Sequence, residues 1–486
     1  MERMIPIDIE PKSVFKFFEE ISRIPRETGN EKAVSDWLVE FAKERNLSYV
    51  QDKKLNVLIR KEGTPGYEDH PGVIFQSHMD MVCEKTPGST HDFTKDPIHI
   101  IVEGDIITAK DTTLGGDDGI GMALTLALLD ADDIAHPPIE GLFTVDEELG
   151  LTGAEEFDAT QLKGDYLINI DSDDDGVFVV GSAGGPTITA EIPVEHKAPS
   201  AGYKAYRAAV ENLKGGHSGE DIHRQRGNAD KLLFRFLDAL DRKGEYELAS
   251  VNGGTACNAI PRDAEAIIML PAELEPEFKE LAEKYDAIYK EEYKISDADV
   301  KLSFESIDAK IDKVFTKESK DHVIDVGVFC ENGILRMSME LEGVVESSNN
   351  LGIVVTEEDK VLFSFCTRSF LESVYSTIVT NIDRLARSAG GRSYKEYDCL
   401  EWPYQSESHL RDLFVTNYEK LFDRPAKAIA LHTGLECGMI GKNMGRKVDM
   451  ISLGPECKDL HKPGEWLSIS STERYWKLFI EVLKNL

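Results

Sequence analysis

The run from Val73 to Val82 constrains the fold of this chain most, because an apolar, β-branched segment ends there on charged side chains. Such a run predicts a buried strand, and it reaches His78 and Asp80 at its end. In an extended chain, residues two apart point to the same side, so the imidazole and the carboxylate emerge together. A histidine that binds a metal commonly donates its second ring N–H to a carboxylate. The segment is therefore a candidate metal site, with a capped strand end as the alternative.

The length and charge of the chain limit the classes of protein it can represent. With 486 residues it is too long for one hydrophobic core, and a formal charge of −34 disfavours nucleic acid and anionic membranes as partners. No apolar run approaches the roughly 20 residues that span a bilayer, and the amino terminus has no signal-peptide core. Seven scattered cysteines without a CxxC pair are typical of a reducing compartment. We therefore expect a soluble, acidic, cytoplasmic protein.

Further acidic groups follow predicted apolar strands, as expected where the carboxyl ends of parallel strands meet. Glu147 and Glu148 end one strand, and Asp171 comes first after another. Asp117 stands in a glycine-rich turn, where the alternative is an ordinary acidic helix start. Glu147 and Glu148, taken alone, are equally well explained as part of a solvated acidic turn. His461, in a late loop, would by itself be an exposed histidine.

Taken together, two imidazoles and three carboxylates match the ligands of a pair of Zn²⁺ or Mn²⁺ ions. The set is His78, Asp117, Glu148, Asp171 and His461, with Asp80 and Glu147 as carboxylates that do not bind metal. Two metals about 3.5–4 Å apart can share a hydroxide and polarise a carbonyl, which is hydrolytic chemistry. A set without cysteine also argues against a purely structural zinc site. These residues therefore favour a metal-dependent hydrolase.

Strands and helices alternate in the first part of the chain and again at its end. Residues 11–24 and 30–46 are predicted as amphipathic helices, 101–110 as a strand and 119–130 as a buried helix. From 186 to 397 the segments instead alternate as in a sheet with one covered face. We predict an α/β fold in which a largely parallel-sheet catalytic domain is interrupted by an inserted α+β lid domain. The predicted limits are 1–185 and 398–486 for the catalytic domain and 186–397 for the lid domain.

The ordered motifs of the chain resemble those of the co-catalytic di-zinc peptidases and deacylases, which include carboxypeptidase G, tripeptidase T and the carnosinases. Within this superfamily the chain is most similar to the bacterial aminoacyl-histidine (Xaa-His) dipeptidases. The resemblance covers essentially the whole sequence. The matching motifs are SHMDMVCEK, TLGGDDGIGM, FTVDEELGLTGA, LINIDSDD, LKGGHSGEDIHRQRGNA, NAIPRDA, GLECG and the final LGP…H.

The resemblance implies a role for each matched residue of the centre. Two zinc ions, for which Mn²⁺ or Co²⁺ would substitute, would be bound by His78, Asp117, Glu148, Asp171 and His461, with Asp117 as the bridge. Asp80 would orient His78, and Glu147 would be the general base. His217, in GGHSG, would be the lid-domain histidine that stabilises the oxyanion. Without the resemblance, His217 would be read as a glycine-flanked turn residue.

The resemblance also implies substrate-binding residues and partners. Asn258 in NAIP and Arg368 in TRS would grip the substrate, since arginine holds a free carboxylate with two parallel hydrogen bonds. Glu436 in GLECG would meet the amino group of the substrate. Asn258 and Arg368 would otherwise be surface residues. The expected partner is a small peptide, with no nucleic acid or membrane, and the lid domain would either pair two chains in a homodimer or cap its own site.

Two positions depart from the pattern of the resembled family. Gly116 stands where alanine is commoner, and the last motif reads HKPGE at 461–465 instead of His-Ser-Pro-Asp-Glu. The first departure is expected to be harmless, whereas the second bears on loop shape and substrate preference.

We therefore expect a metal-dependent dipeptidase that hydrolyses unblocked dipeptides, Xaa-His included, with a metal-bridging hydroxide as the nucleophile. An N-acyl amino acid deacylase or a tripeptidase with the same di-metal site is the alternative enzyme. A non-catalytic metal- or peptide-binding protein is the alternative from another class. That alternative would need a lost ligand or a lost base, and neither is missing from the sequence.

Overall fold

The computed structural model describes residues 4–486 of the chain. Residues 1–3, where the sequence predicts no signal-peptide core, lie outside the described part. Two compact units are present. The first comprises the described residues up to Ser182 together with Tyr404–Ala430 and Leu435–Leu486, and the second comprises Ala183–Pro403 and Leu431–Gly434. Among residues 4–486, no helix combines the length and the apolar character needed to cross a bilayer.

Helices and strands are numbered in chain order over the described residues. The helices are α1 Lys12–Ser22, α2 Lys32–Glu44, α3 Gly116–Asp130, α4 Glu147–Gly150, α5 Thr152–Glu156, α6 Ala229–Asp241, α7 Glu275–Glu292, α8 Lys317–Phe329, α9 Glu372–Ser388, α10 His409–Phe422, α11 Glu436–Asn443 and α12 Ile469–Leu483. The strands from β1 to β13 are Ser48–Gln51, Val57–Lys61, Val73–His78, Ile100–Glu103, Ile106–Ala109, Ile139–Thr144, Tyr166–Asn169, Val177–Ser182, Gly185–Pro193, His196–Lys197, Tyr203–Glu211, Gly216–His217 and Glu247–Gly253. The strands from β14 to β25 are Ala259–Ile260, Ala264–Pro271, Lys301–Ser306, Val314–Phe315, Gly333–Met337, Val345–Thr356, Lys360–Ser369, Arg392–Cys399, Lys427–Leu431, Asp449–Ser452, Cys457–Lys458 and Trp466–Ser468.

A mixed eight-stranded sheet organises the first unit, in the order β1-β2-β6-β3-β7-β23-β8-β22. The four central strands β6, β3, β7 and β23 run parallel to one another. The strands β1 and β2 and the pair β23–β8 are antiparallel. The predicted α/β fold is confirmed, with the parallel pairing in the middle of the sheet. Such a sheet gathers functional groups at the carboxyl ends of its parallel strands.

Apolar helices cover this sheet, because their buried faces meet its apolar strands. The run GIGMALTLALLD makes α3 apolar on nearly every side, and its leucines 124, 126 and 128 are fully or almost fully buried. Helix α1 packs beside α3, where the buried Phe18 ring lies next to Gly119. A helix that is apolar all round belongs inside a protein, as the sequence predicts for this segment.

The prediction of one strand over residues 101–110 is wrong. This stretch forms two antiparallel strands, β4 and β5, with Glu103 paired to Ile106. Gly104 has a φ of +63°, which a two-residue hairpin turn requires and which glycine adopts without strain. The hairpin belongs to a separate four-stranded sheet in the order β24-β25-β5-β4. Strands β24 and β25 of that sheet flank the loop that carries His461.

The second unit is built on one large antiparallel sheet. Its strand order is β16-β11-β15-β13-β19-β20-β9-β21, with β18 paired to β19. Residues of α6, α7, α8 and α9 form a hydrophobic core with the apolar side chains of these strands. Alternating apolar residues, such as Phe363 and Phe365 in β20, supply the sheet's share of that core. The prediction of an inserted α+β domain is confirmed.

Candidate metal centre

The carboxyl ends of three neighbouring parallel strands carry three of the five predicted ligands, namely His78, Glu148 and Asp171. His78 is the last residue of β3, and Asp171 follows the end of β7. Glu147 and Glu148 come after β6, in the helical turn α4. The register places His78 opposite Thr144, the last residue of β6. Because parallel neighbours end at the same edge of a sheet, groups far apart in the sequence meet there.

Asp117 lies between the two predicted histidine ligands. Its Oδ1 atom is 2.9 Å from His78 Nε2, and its Oδ2 atom is 3.2 Å from His461 Nε2. Glu148 Oε1 is also 3.2 Å from His461 Nε2, and Asp171 Oδ1 is 3.6 Å from His78 Nε2. The structure therefore brings all five predicted ligands together, with one carboxylate in contact with both imidazoles.

The donor atoms of this cluster fit a divalent cation. Three groups of side chains place their nitrogen or oxygen donor atoms within 4.8 Å of one another. These groups are His78 with Asp118 and Asp171, His78 with Glu147 and Glu148, and Asp117 with Glu148 and His461. Glu148 Oε1, which lies 3.2 Å from His461 Nε2, is buried and makes no hydrogen bond of normal geometry within the described part of the chain. Burying polar atoms without a partner costs free energy, which a bound cation offsets. Imidazole nitrogen and carboxylate oxygen are donors that suit Zn²⁺ and Mn²⁺.

The electrostatics of the cluster favour positive charge. Burial acts to lower the pKa of His78, but contacts with Asp117, Asp171 and Asp80 raise it well above its usual value. The Asp117 and Glu148 carboxylates raise the pKa of His461, which is exposed on the late loop, to about 10. Burial raises the pKa of Asp171 to about 6, and the negative charge of Asp117 adds to the effect. Buried carboxylates crowded in this way are relieved by a cation.

Asp80 is fully buried behind His78. Its carboxylate lies 3.5 Å from His78 Nδ1 and accepts the backbone N–H groups of Glu147, at 3.1 Å, and Glu148, at 3.2 Å. The Thr28 hydroxyl donates to it as well, at 2.9 Å. Burial acts to raise the pKa of Asp80, but His78 and the two backbone N–H groups bring it down to about 2. The same carboxylate therefore fixes both the imidazole and the turn α4.

A buried carboxylate that the sequence reasoning gave no role holds the turn before α3. The Glu465 side chain accepts the backbone N–H groups of Leu114 at 2.8 Å, Gly115 at 3.0 Å and Gly116 at 2.8 Å. These residues immediately precede Asp117, so Glu465 sets the position from which Asp117 enters the cluster. Glu465 belongs to the HKPGE motif, and this motif is the sequence feature from which a role for Glu465 could have been predicted.

A buried arginine, which sequence reasoning missed, joins the same turn to the end of the His78 strand. The Arg26 guanidinium donates to the carbonyl oxygens of Met79 at 3.0 Å, Asp80 at 2.8 Å and Gly115. Gly115 has a φ of +67°, and a Cβ atom there would lie 2.5 Å from the guanidinium. Glycine is therefore required at this position by both the backbone conformation and the close approach of Arg26.

Asp118, the neighbour of Asp117, is buried and serves the backbone. Its carboxylate accepts the N–H groups of His78 at 3.2 Å and Gly121 at 3.0 Å. Burial and the nearby charge of Asp171 raise the pKa of Asp118 well above its usual value. The two consecutive aspartates of the motif therefore face different partners, which spacing alone does not reveal.

Glu436 lies at the start of α11 and is fully buried. Gln76 Nε2 donates to its carboxylate at 2.6 Å and the Thr144 hydroxyl at 2.9 Å, so it braces two of the parallel strands. Burial raises the pKa of Glu436 to about 7. The predicted contact with a substrate amino group stays a prediction, because this carboxylate has no exposed surface.

The other predicted substrate-contacting residues lie together in the second unit. His217 is in β12, which pairs with β14 directly after Asn258, and the Ser218 N–H donates to the Asn258 carbonyl oxygen at 2.7 Å. Arg368 Nη2 is 3.5 Å from His217 Nε2. Burial lowers the pKa of His217, and the positive charge of Arg368 adds to the effect. His217 and Asn258 also line a cavity of about 800 Å³ in this unit.

Comparison with known proteins places these features in a family. Residues 208–297 match a family described as a peptidase dimerisation domain of the M20 type. The cytosol non-specific dipeptidase of Escherichia coli (strain K12) is 35% identical over 478 residues, which cover 98% of each chain. The crystal structure of aminoacylhistidine dipeptidase from Vibrio alginolyticus matches with a TM-score of 0.93 and 37% identity, over 100% of this chain and 98% of that chain. A tripeptidase from Staphylococcus aureus shares the fold, with a TM-score of 0.54 and 17% identity over 98% of each chain.

The fold, the candidate metal-binding side chains and the similar proteins together define a class of protein. This class is the metal-dependent peptidases with an inserted dimerisation domain. Within that class, the chain belongs to the M20 family of peptidases. The family and fold predicted from the sequence are thereby confirmed. The prediction that the chain is a metallopeptidase, which hydrolyses peptide bonds, is confirmed as well.

Proposed function

We propose that the chain is a metal-dependent dipeptidase that hydrolyses unblocked dipeptides, Xaa-His dipeptides among them, at a centre for two divalent ions. The observation that carries the proposal is the position of Asp117, whose two oxygens face the imidazoles of His78 and His461 separately. One carboxylate in contact with two imidazoles on opposite sides is suited to bridge two ions. The relatives named as a cytosol non-specific dipeptidase and an aminoacylhistidine dipeptidase support dipeptides as the substrate class.

The proposed ligands divide into two groups that share Asp117. His78 and Asp171 would hold one ion, and Glu148 and His461 the other. We propose Zn²⁺ as the ion, with Mn²⁺ or Co²⁺ as substitutes, because mixed nitrogen and oxygen donors suit these metals. Such ions, when bound, polarise the peptide carbonyl and make water a stronger nucleophile.

The residues around the ligands would orient groups and move protons. Asp80 keeps His78 in one tautomer and orientation, as its 3.5 Å contact with Nδ1 supports. Glu147 would take a proton from the attacking water and give it to the leaving amine. Burial, the largest influence on this carboxyl, raises the pKa of Glu147 well above its usual value, which suits a group that holds a proton between the two steps.

The second unit would supply substrate contacts. We propose that Arg368 binds the free carboxylate of the dipeptide, that Asn258 binds its backbone and that His217 stabilises the oxyanion. The contact between Arg368 and His217, and the cavity that His217 and Asn258 both line, support their acting on one ligand. Glu436 would act on the amino group of the substrate only if its burial is relieved, and its contacts with Gln76 and Thr144 otherwise brace the strands.

Metal analysis tests the centre. Purified protein treated with a chelator and then resupplied with Zn²⁺ or Mn²⁺ is expected to take up two ions per chain, measured by elemental analysis, and to regain activity with them. A chain that takes up no stoichiometric metal would refute the hydrolase. Uptake without hydrolysis of any peptide would favour a metal- or peptide-binding protein instead.

A substrate panel tests the specificity. Free Xaa-His and other unblocked dipeptides are expected to be cleaved, whereas N-acylated dipeptides and tripeptides are expected to be poor substrates. Arg368→Lys should raise KM for dipeptides more than it lowers kcat, because lysine loses the second hydrogen bond to the carboxylate. Preferred cleavage of N-acyl amino acids or tripeptides would replace the dipeptidase by the corresponding deacylase or tripeptidase.

We further propose that the chain forms a homodimer through the second unit and works in the cytoplasm. The match of residues 208–297 to a dimerisation domain supports the first proposal, and the cytosolic relative supports the second. Light scattering after size-exclusion chromatography is expected to give twice the mass of one chain. A single-chain mass at micromolar concentration would refute the dimer.

A further inference from the structure

Two thiols of the second unit lie against each other beside the proposed substrate-binding residues. Cys366 is in β20, two residues before Arg368, and Cys257 directly precedes Asn258. The two sulfur atoms are in hydrogen-bond contact, and both cysteines are free thiols. Thiols in contact are one short movement away from the bonding distance of a disulfide.

The backbone on both sides of the pair holds the two cysteines together. Asn350 is the partner of Cys366 in the β19–β20 ladder, and its side-chain amide donates to the Cys257 carbonyl oxygen at 2.9 Å and the Ala259 carbonyl oxygen at 2.8 Å. Thr187 is the partner of Cys366 in the β20–β9 ladder, and its side chain contacts Cys257. Residues of both neighbouring strands therefore keep Cys257 over Cys366.

The surroundings give the two thiols different chemistry. The Arg368 guanidinium, two residues further along β20, lies beside the Cys366 sulfur. The hydrogen bond from Cys257, and then the positive charge of Arg368, lower the pKa of the Cys366 thiol although burial acts in the opposite direction. The contact with Cys366 and burial raise the pKa of Cys257, which is partly exposed to solvent. The Cys366 thiol is therefore the more readily ionised of the two.

We propose that Cys257 and Cys366 form a reversible oxidation site, at which hydrogen peroxide joins the two sulfur atoms and fixes Asn258 and Arg368 in an unproductive arrangement. The Cys366 thiolate attacks one oxygen of the peroxide, the O–O bond breaks, and the leaving hydroxide takes up a proton to form water. The Cys257 sulfur then attacks the sulfenic sulfur of Cys366, and the S–O bond breaks. The hydroxyl leaves as a second water with the proton of Cys257. Two thiols lose two electrons, and one peroxide is reduced to two waters.

The disulfide acts on the proposed substrate contacts by moving or changing the groups next to them. Drawing Cys257 towards β20 moves Asn258, which follows it directly in the chain. Oxidation also makes the Cys366 sulfur beside Arg368 part of a disulfide, which changes the surroundings of the guanidinium. The effect on hydrolysis rests on the proposed function of Asn258 and Arg368, whereas formation of the disulfide does not.

Peptide mapping of the full-length, metal-loaded protein tests the site. After treatment with hydrogen peroxide and digestion with trypsin without reductant, the expected product joins residues 244–262 to residues 361–368, with two hydrogens fewer than the separate peptides. Dipeptide hydrolysis is expected to fall by roughly tenfold or more, since small displacements of binding groups cost this much. Dithiothreitol is expected to restore both the separate peptides and the activity.

Matched variants separate this pair from other thiols. Cys257→Ala and Cys257→Ser, each compared with its own untreated activity, are expected to give no cross-link and no reversible loss. Cys83→Ala removes a thiol of similar exposure in the first unit and is expected to respond like the unmodified sequence. A cross-link between Cys366 and the nearby Cys399, overoxidation of Cys366 alone, or no cross-link would overturn the proposal. A Cys257–Cys366 cross-link without loss of hydrolysis would overturn the control of activity, and absent hydrolysis before treatment would point to the proposed function instead.

Discussion

Two adjacent carboxylates in α4 have different proposed tasks, and single substitutions separate them. Glu148 contacts His461, whereas Glu147 is proposed to move protons. Glu147→Gln keeps the size and polarity of the side chain but cannot accept the proton, so we expect kcat to fall by about 10²–10⁴-fold while two metals stay bound. Steady-state kinetics together with elemental analysis of the same preparation measure both effects.

The control for this substitution lies in the following helix. Glu155→Gln changes the same functional group at an exposed position of α5 and is expected to leave kcat unchanged. Near-normal turnover in Glu147→Gln would contradict the assignment of the base. Loss of metal together with activity would instead show that Glu147 is a ligand.

Asp230, far from the proposed metal ligands in sequence, is a buried carboxyl whose two oxygens have no hydrogen-bond partner among residues 4–486. Burial raises its pKa well above the usual value in the folded protein. The folded state therefore binds this proton more tightly than the unfolded state. The stability that comes from binding this proton is fully present below the unfolded-state pKa of about 3.9. It is lost as the pH rises through the folded-state pKa of Asp230.

The Asp230→Asn variant should remove this pH dependence. Between pH 4.5 and 7.5, the unmodified protein should lose more free energy of unfolding than the variant, by up to about 1.4 kcal/mol per pH unit within the titration window. Urea unfolding at both pH values measures the difference. Asp299→Asn, at an exposed position of the same unit, should show no such difference. Equal pH dependence in Asp230→Asn and the unmodified protein would show that the carboxyl does not titrate there.

At the scale of elements, the turn before α3 is held by Glu465 from a loop late in the chain. In Glu465→Gln, one of the two side-chain acceptors becomes an N–H₂ group that faces backbone N–H donors. We expect the turn to shift and the affinity for Zn²⁺ to fall by roughly 10–100-fold, as is usual when groups that orient ligands are changed. Isothermal titration of the metal-free protein measures this affinity directly. Glu103→Gln, at the exposed end of β4, is the control and should bind Zn²⁺ normally.

The rule that sites form at the carboxyl ends of parallel strands explains why so much of the centre was predictable. His78 and Asp171 each stand at the end of an apolar run, and the structure places those ends side by side. Arg26 was not predictable in this way, because a single arginine after a helix carries no pattern that marks it as buried. Its partners are three backbone carbonyl groups, which leave no trace in side-chain identity. The roles of His217, Asn258 and Arg368 came only from the resemblance and stay predictions.

Helix α8 shows why some elements escape sequence reasoning. Its segment is rich in β-branched residues and contains Gly327, which together lower the intrinsic preference for a helix. The Thr316 side chain caps it by accepting the Ser319 N–H. Gly327 packs against the Phe234 ring so closely that a Cβ atom would lie 2.2 Å from it. Tertiary packing therefore determines that this segment is helical, and the helix propensities of its residues do not reveal such packing.

At the scale of the whole molecule, the proposed metals and the second unit belong to different parts of the fold. All five proposed ligands are in the first unit, namely His78, Asp117, Glu148, Asp171 and His461. A ligand that binds only the folded state stabilises it by about 2.7 kcal/mol at a concentration 100 times its Kd. The metals should therefore stabilise the first unit and leave the second unit's own stability unchanged.

Hydrogen exchange with and without a chelator resolves this difference between the units. Chelation should speed amide exchange in β3, β6 and β7, whose ends carry ligands, and leave exchange in β11, β15 and β19 as it was. Asp171→Asn, which removes one proposed ligand, should speed amide exchange in the first unit even without the chelator. Adding the chelator should then change this exchange less than it does in the unmodified protein. Equal acceleration in both sheets would mean that the two units unfold as one cooperative structure, because loss of metal in the first would then open the second.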